Sequence, residues 1–137
     1  MNDRPRGLRN CNPGNIRRST TRYKGEVAGG DPDFKCFRSA AWGYRAVFVL
    51  LHTYRVRYGI DTLRGMIGRW APPCENDTES YLAAVARRAA LDPDQSVDTL
   101  DRSTMTPIAA AISAVENGVP ASEEEVAEGW RLFSIDF

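Results

Sequence analysis

The chain has 137 residues, of which 42% are hydrophobic and 26% charged, with 18 basic and 18 acidic side chains and a formal net charge of zero. Its length fits one domain over residues 1–137 with room for an apolar core, and its charge balance creates no global field to draw nucleic acid. Three cysteines and one histidine are too few for a disulfide scaffold or a zinc centre, no cofactor motif is present, and no apolar run approaches the ~18 residues of a membrane span.

The first distinctive stretch is Arg6-Gly7-Leu8-Arg9-Asn10-Cys11-Asn12-Pro13-Gly14-Asn15-Ile16-Arg17. Pro13-Gly14 reads as a tight turn, and the Asn side chains are suited to bonding the local backbone around it. The segment is expected to be an ordered loop rather than a helix or strand. Tyr23 to Val27 and Phe34 to Phe37 then read as two short strands joined by Gly29-Gly30-Asp31-Pro32, a small hairpin.

Ser39 opens a long helical pattern through Trp42, Ala46, Val49, Leu50 and Tyr54 that ends at Tyr58-Gly59. Asp61 is placed to cap a second helix with Leu63, Met66, Ile67 and Trp70 on one face, stopped by Pro72-Pro73. Asn76 followed by Glu79 has the form of a capping box for a third helix through Tyr81, Leu82, Val85 and Ala89. Residues 91–103 read as a polar connection. Thr106-Pro107 is expected to start a fourth helix that ends at Glu116-Asn117-Gly118, and an acidic helix closes the chain at about 122–132. Charge is segregated: residues 1–24 hold seven Arg or Lys and one acid, while residues 116–137 hold six acids and one base. Pairing between these two ends is the simplest expectation. Met1-Asn2-Asp3-Arg4-Pro5-Arg6 lacks the apolar segment of a signal peptide, so the protein is expected to be made in the cytosol with its cysteines as free thiols.

The Arg6–Arg17 stretch resembles the opening motif of a phage and prophage family of virion structural proteins or muramidases, in which Asn usually stands where this chain has Cys11. It is more distantly similar to the Asn-Asn-x-Phe-Gly-Ile loop of bacterial glucosaminidases in the lysozyme-like superfamily. The resemblance continues through Trp70-Ala71-Pro72-Pro73-Cys74-Glu75-Asn76-Asp77-Thr78 and Glu116-Asn117-Gly118, and so covers most of the chain. It implies a lysozyme-like domain, α+β and mostly helical with a small β-hairpin, that cleaves the glycan strands of peptidoglycan by hydrolysis or by intramolecular transglycosylation. It implies action in the periplasm or cell wall, virion association with other virion proteins, and a monomer.

Glycoside cleavage needs a carboxylic acid able to protonate the leaving oxygen. Glu116 falls in the last turn of a helix, where the macrodipole disfavours a carboxylate, and Asn117-Gly118 then turns the chain. A residue that breaks a local rule points to function, although a solvated Glu at a frayed helix end has the same pattern. In the glucosaminidases the catalytic Glu precedes the Asn-rich loop. Here the first Glu is Glu26, so the resemblance implies a circularly permuted arrangement with Glu116 as the acid.

Glu75 is the second candidate. It precedes a helix whose N-terminus stabilises a carboxylate, which suits a base or a structural role better. Glu26 is the third, as a carboxylate of the β-hairpin, with Asp31 and Asp33 as alternatives. Asn10, Asn12 and Asn15 are expected to bind substrate, with Asn12 and Asn15 facing the same groove as the acid, and the resemblance places Tyr81 along the cleft. Trp42, Trp70 and Trp130 could carry sugar faces but also fit core stripes, and His52 reads as a packed histidine. The leading expectation is a phage-type muramidase. The alternative is a non-catalytic virion or cell-wall-binding structural protein.

Overall fold

A computed structural model of the chain describes residues 3–137. Six helices and one two-stranded antiparallel sheet follow in the order α1 (Arg6–Arg9), β1 (Glu26–Val27), β2 (Cys36–Phe37), α2 (Ala40–Tyr58), α3 (Leu63–Trp70), α4 (Thr78–Ala89), α5 (Arg102–Asn117) and α6 (Glu123–Asp136). The fold is therefore mostly helical α+β. The sheet is shorter than the alternating pattern implies: only Glu26 pairs with Phe37 and Val27 with Cys36.

Helix α2 is the axis of the core. Ser39 Oγ accepts from the Trp42 amide at its start, and Gly59 closes it at φ 69°, a left-handed conformation that glycine takes without steric cost. It is buried on several sides, through Tyr44, Val47, Phe48 and Leu51, as expected of a helix surrounded by others. Helix α6 lies against it so closely that a Cβ on Gly129 would stand 2.9 Å from the Ala41 carbonyl oxygen. Phe48, Trp130 and Phe133 pack there with ring centroids 5.0 to 5.9 Å apart. The Tyr44 hydroxyl donates to Ser113 Oγ at 2.9 Å and ties α2 to α5. Arg45, only 5% exposed, meets Asp136 at 2.7 Å. Lys24 reaches the same carboxylate at 2.9 Å, so the basic N-terminal region does pair with the acidic C-terminal helix at this point.

Three helix starts differ from the sequence reading, each for a local reason. Thr62 rather than Asp61 caps α3, accepting from the Gly65 amide at 3.1 Å. Asp77 rather than Asn76 caps α4, accepting from the Ser80 amide at 3.2 Å. Helix α5 begins at Arg102, so Pro107 lies inside it. In its first turn Asp101 accepts from the Ser103 and Thr104 hydroxyls, and Thr106 Oγ1 donates back to the Arg102 carbonyl at 2.9 Å.

The stretch Arg6–Arg17 begins with one helical turn, contrary to the loop expected, and then folds back through two left-handed residues, Cys11 (φ 52°) and Asn15 (φ 48°). Asn12 is fully buried beneath it. Its Oδ1 accepts from the Ile16 amide at 2.9 Å, and its Nδ2 donates to the Ile16 carbonyl at 3.0 Å and the Lys35 carbonyl at 2.9 Å. Asp31 joins the hairpin turn to α1. It takes two bonds from Arg6 at 2.5 and 2.6 Å and one from Asn10 at 2.9 Å. The Arg6 guanidinium holds this carboxyl well below the usual carboxylate range.

Two outcomes follow from this loop. Asn12→Ala would strand one N–H and two carbonyls in the interior, so it should destabilise by about 3 kcal/mol, read as a lower denaturant midpoint. Cys11→Asn places the residue that best tolerates a left-handed backbone. It should raise stability by about 0.5–1 kcal/mol, and an unchanged or lower midpoint would refute the strain at position 11.

Candidate functional site

A cleft of about 370 Å³ opens between the Arg6–Arg17 loop, α2, α3 and the end of α5. Gly14, Asn15, Ile16 and Arg17 form one wall with Phe34. Leu50 and Tyr54 of α2, Arg69 and Trp70 of α3, and Pro72, Glu75 and Asn76 form the other side. Glu116 is the one residue of α5 that lines it.

Glu116 is half-buried and both its oxygens are engaged. Asn15 Nδ2 donates to Oε1 at 2.8 Å, and the Tyr81 hydroxyl donates to Oε2 at 2.7 Å. These two donors offset the repulsion between the carboxylate and the negative end of α5. They also fix its rotamer from two directions. Burial, followed by the Glu116 charge, pushes the Tyr81 phenol far above its ordinary range, so Tyr81 keeps its proton and remains a donor.

The reach of Asn15 depends on Gly7, Asn117 and Gly14. Asn117 is 6% exposed and donates to the Pro13 carbonyl at 2.9 Å and to the Ser113 carbonyl at 2.9 Å. That pair of bonds stitches the Pro-Gly turn onto the last turn of α5, next to Glu116. A Cβ on Gly7 would lie 2.5 Å from Asn117 Oδ1 and 2.8 Å from Asn15 Oδ1. Both oxygens are buried without a hydrogen-bond partner and crowd the place where a side chain would stand. On the other side, a Cβ on Gly14 would sit 2.8 Å from Trp70 Cζ2. The loop thus fits between α1, α5 and the Trp70 indole only because both positions lack a side chain.

The structure brings three of the sequence candidates together: Glu116 and Asn15 in the cleft, and Tyr81 directly behind Glu116. Glu75 lines the same cleft from its exposed rim, 3.4 Å from Arg17 Nε. Asn12 does not face the groove. Its amide is consumed by the loop's own backbone, so it is a structural residue. Asn10 is also turned away, donating to Asp31 and accepting from the Cys36 thiol at 3.5 Å. Glu26 lies in a different hollow with Arg18, Ser19 and Arg22. There it pairs with the buried Lys35 at 3.0 Å and accepts from the Tyr23 amide at 3.2 Å, which is a hairpin-bracing role. Asp31 and Asp33 are spent on Arg6.

Of the tryptophans, Trp70 lines the cleft, Trp130 is core, and Trp42 lies under Arg38 and against Gly25. His52 is half-buried, bonded to Thr99 at 2.7 Å and edge-on to Phe133 and Phe137. Burial lowers its pKa, in keeping with a packed, neutral ring. All three cysteines are free thiols. Among the described residues, no group of three or more His, Cys, Asp or Glu is placed to hold a metal ion, and no helix is long and apolar enough to cross a membrane.

Sequence reasoning missed Asn117, Arg17, Tyr54 and Arg69. Asn117 had a readable signal, since it adjoins Glu116 in the Glu-Asn-Gly motif, but it passed as a turn residue. Arg17 closes the Arg6–Arg17 motif without a role being read for it, and Tyr54 and Arg69 carry no motif and reach the cleft only through helix packing. Tyr81 and Glu116 should be energetically coupled. A double-mutant cycle with Tyr81→Phe and Glu116→Gln should give about 1.5–3 kcal/mol, the range for a bond to a charged group. A coupling near zero would refute the bond.

No protein-family model matches the chain. A search of characterised proteins finds Protein P5 of Pseudoalteromonas phage PM2, 36% identical over 136 residues, an alignment covering 96% of this chain and 83% of that protein. Identity at that level, along nearly the whole of this chain and more than four-fifths of the other, means that the chain belongs to the family of phage Protein P5.

Proposed function

We propose that the protein is a phage-type muramidase of lysozyme-like architecture that cleaves the glycan strands of peptidoglycan, with Glu116 as the general acid. The observation that carries this reading is Glu116 itself, a half-buried carboxyl at a helix end, aimed into a cleft by Asn15 and Tyr81. A group of this kind donates its proton to the glycosidic oxygen as the C–O bond breaks, leaving oxocarbenium character on the sugar. Two ways of completing the reaction fit the same acid. A water taken up on the other face, with Glu75 at the cleft rim as base, gives hydrolysis. Attack by a hydroxyl of the same sugar, with Glu116 as the base, gives an anhydro product. The Trp70 face and the Asn76 amide are suited to pyranose rings and N-acetyl groups. In this reading the protein is made in a host cytoplasm and acts on the wall as a monomer, and the phage relationship supports its association with other virion proteins.

A second reading draws on the same bonds. Both Glu116 oxygens are already taken by protein donors, which also suits a carboxylate that only welds the loop to α5 in a wall-binding virion component. Release of soluble muropeptides from purified peptidoglycan separates the two. Glu116→Gln should lower release roughly a hundredfold or more, the contribution of one acid catalyst, while the protein still folds. Glu75→Gln should retain more activity. Near-normal release by Glu116→Gln together with loss in Glu75→Gln would move the acid to Glu75. Wild-type protein that sediments with the wall but releases nothing would establish the structural reading.

A further inference from the structure

Four charged side chains line the cleft: Arg17, Arg69, Glu75 and Glu116. Three of them are matched within the protein. Glu116 accepts from Asn15 and Tyr81, and Glu75 faces Arg17 at 3.4 Å. Arg69 is different. Among the described residues no ion pair or hydrogen bond joins it to another side chain. Instead its guanidinium carbon lies 4.0 Å from the centre of the Tyr58 ring and 5.4 Å from that of Tyr54. Tyr54 is 8% exposed and firmly placed in the core, and its phenol is pushed up to about 12, chiefly by burial, so it is an uncharged support. Stacking over aromatic faces occupies the plane of a guanidinium and leaves its N–H edge available. A cation held in this way in a cleft is pre-organised for a planar anion, and a carboxylate matches its two parallel donors.

We propose that Arg69 is a specificity residue of the cleft that takes a carboxylate of the peptide branch carried by the wall glycan, so that the site distinguishes peptide-bearing strands from neutral N-acetylated polysaccharide. This rests on the muramidase reading for the identity of the glycan. It extends that reading by naming the part of the substrate that is recognised and the side chain that recognises it. Arg69 adjoins Trp70, whose indole lines the same cleft and packs on Gly14 of the Asn15 loop. A strand lying over Trp70 towards Glu116 therefore passes beside the guanidinium. Arg17, the other cation, is held to Glu75 at the rim, which leaves Arg69 as the group with a charge still to be met.

The test is calorimetric binding of two soluble disaccharide probes too short to be cut as glycan strands: a disaccharide-tetrapeptide from peptidoglycan, which is anionic, and the neutral β-1,4 disaccharide of N-acetylglucosamine. The wild type should bind the anionic probe more tightly, and added salt should weaken that probe alone. Arg69→Gln should weaken the anionic probe about tenfold and leave the neutral one unchanged. Arg69→Lys, which keeps the charge without the planar fork, should fall between. Equal weakening of both probes by Arg69→Gln, no change in either, or no binding of the anionic probe by the wild type would overturn the proposal. Wall clearing by the wild type is read in parallel. Clearing with an unaltered probe preference in Arg69→Gln removes the role of Arg69 alone. Charge-selective binding without clearing removes the muramidase reading and keeps the anion site.

Discussion

The buried amide of Asn12 is the constraint on which the candidate site depends. Three bonds to the Ile16 amide, the Ile16 carbonyl and the Lys35 carbonyl close the loop around it and attach that loop to the strand leading into β2. A chain segment with two left-handed residues and a Pro-Gly turn has little helical or strand bonding of its own to satisfy its backbone. The interior side chain provides those bonds instead. Once the loop is closed, Asn15 has one direction in which to point, and Glu116 stands there. The catalytic-looking contact is thus a consequence of a structural one three residues earlier.

Helix α5 meets this loop through its last turn. Such a terminus leaves carbonyls without intrahelical partners and carries a partial negative charge. Asn117 gives the Ser113 carbonyl a second donor and also reaches across to Pro13. Glu116 would be poorly placed there alone, but it has a donor from the loop and another from α4. Gly118 turns away at φ 71°, so the helix ends where its carboxylate enters the cleft. Loop, helix end and Tyr81 support one another, and each makes the position of the others less negotiable.

Local rules written into the sequence also account for the departures from it. Thr62 and Asp77 compete with their neighbours Asp61 and Asn76 for the same capping task, and the residue whose side chain reaches the amide in the folded chain takes it. Pro107 reads as a helix start because it lacks an N–H, yet α5 begins earlier with Asp101 binding the Ser103 and Thr104 hydroxyls. Cys11 stands at a left-handed position (φ 52°) to which Asn would be better suited.

The sequence by itself determined the helical pattern, the small hairpin, the turn at Pro13-Gly14 and the helix end at Glu116-Asn117-Gly118, because periodicity, capping and turn chemistry are local. It could not rank Asn10, Asn12 and Asn15, which look alike in a row. Only the tertiary structure decided that Asn10 serves Asp31, Asn12 the loop interior and Asn15 the carboxylate 101 residues away. The same holds for Glu26, which reads as a free hairpin acid until Lys35 is found buried against it. Which partner each polar group meets is set by long-range packing of α2, α4 and α5 around the loop, and no spacing along the chain encodes that geometry.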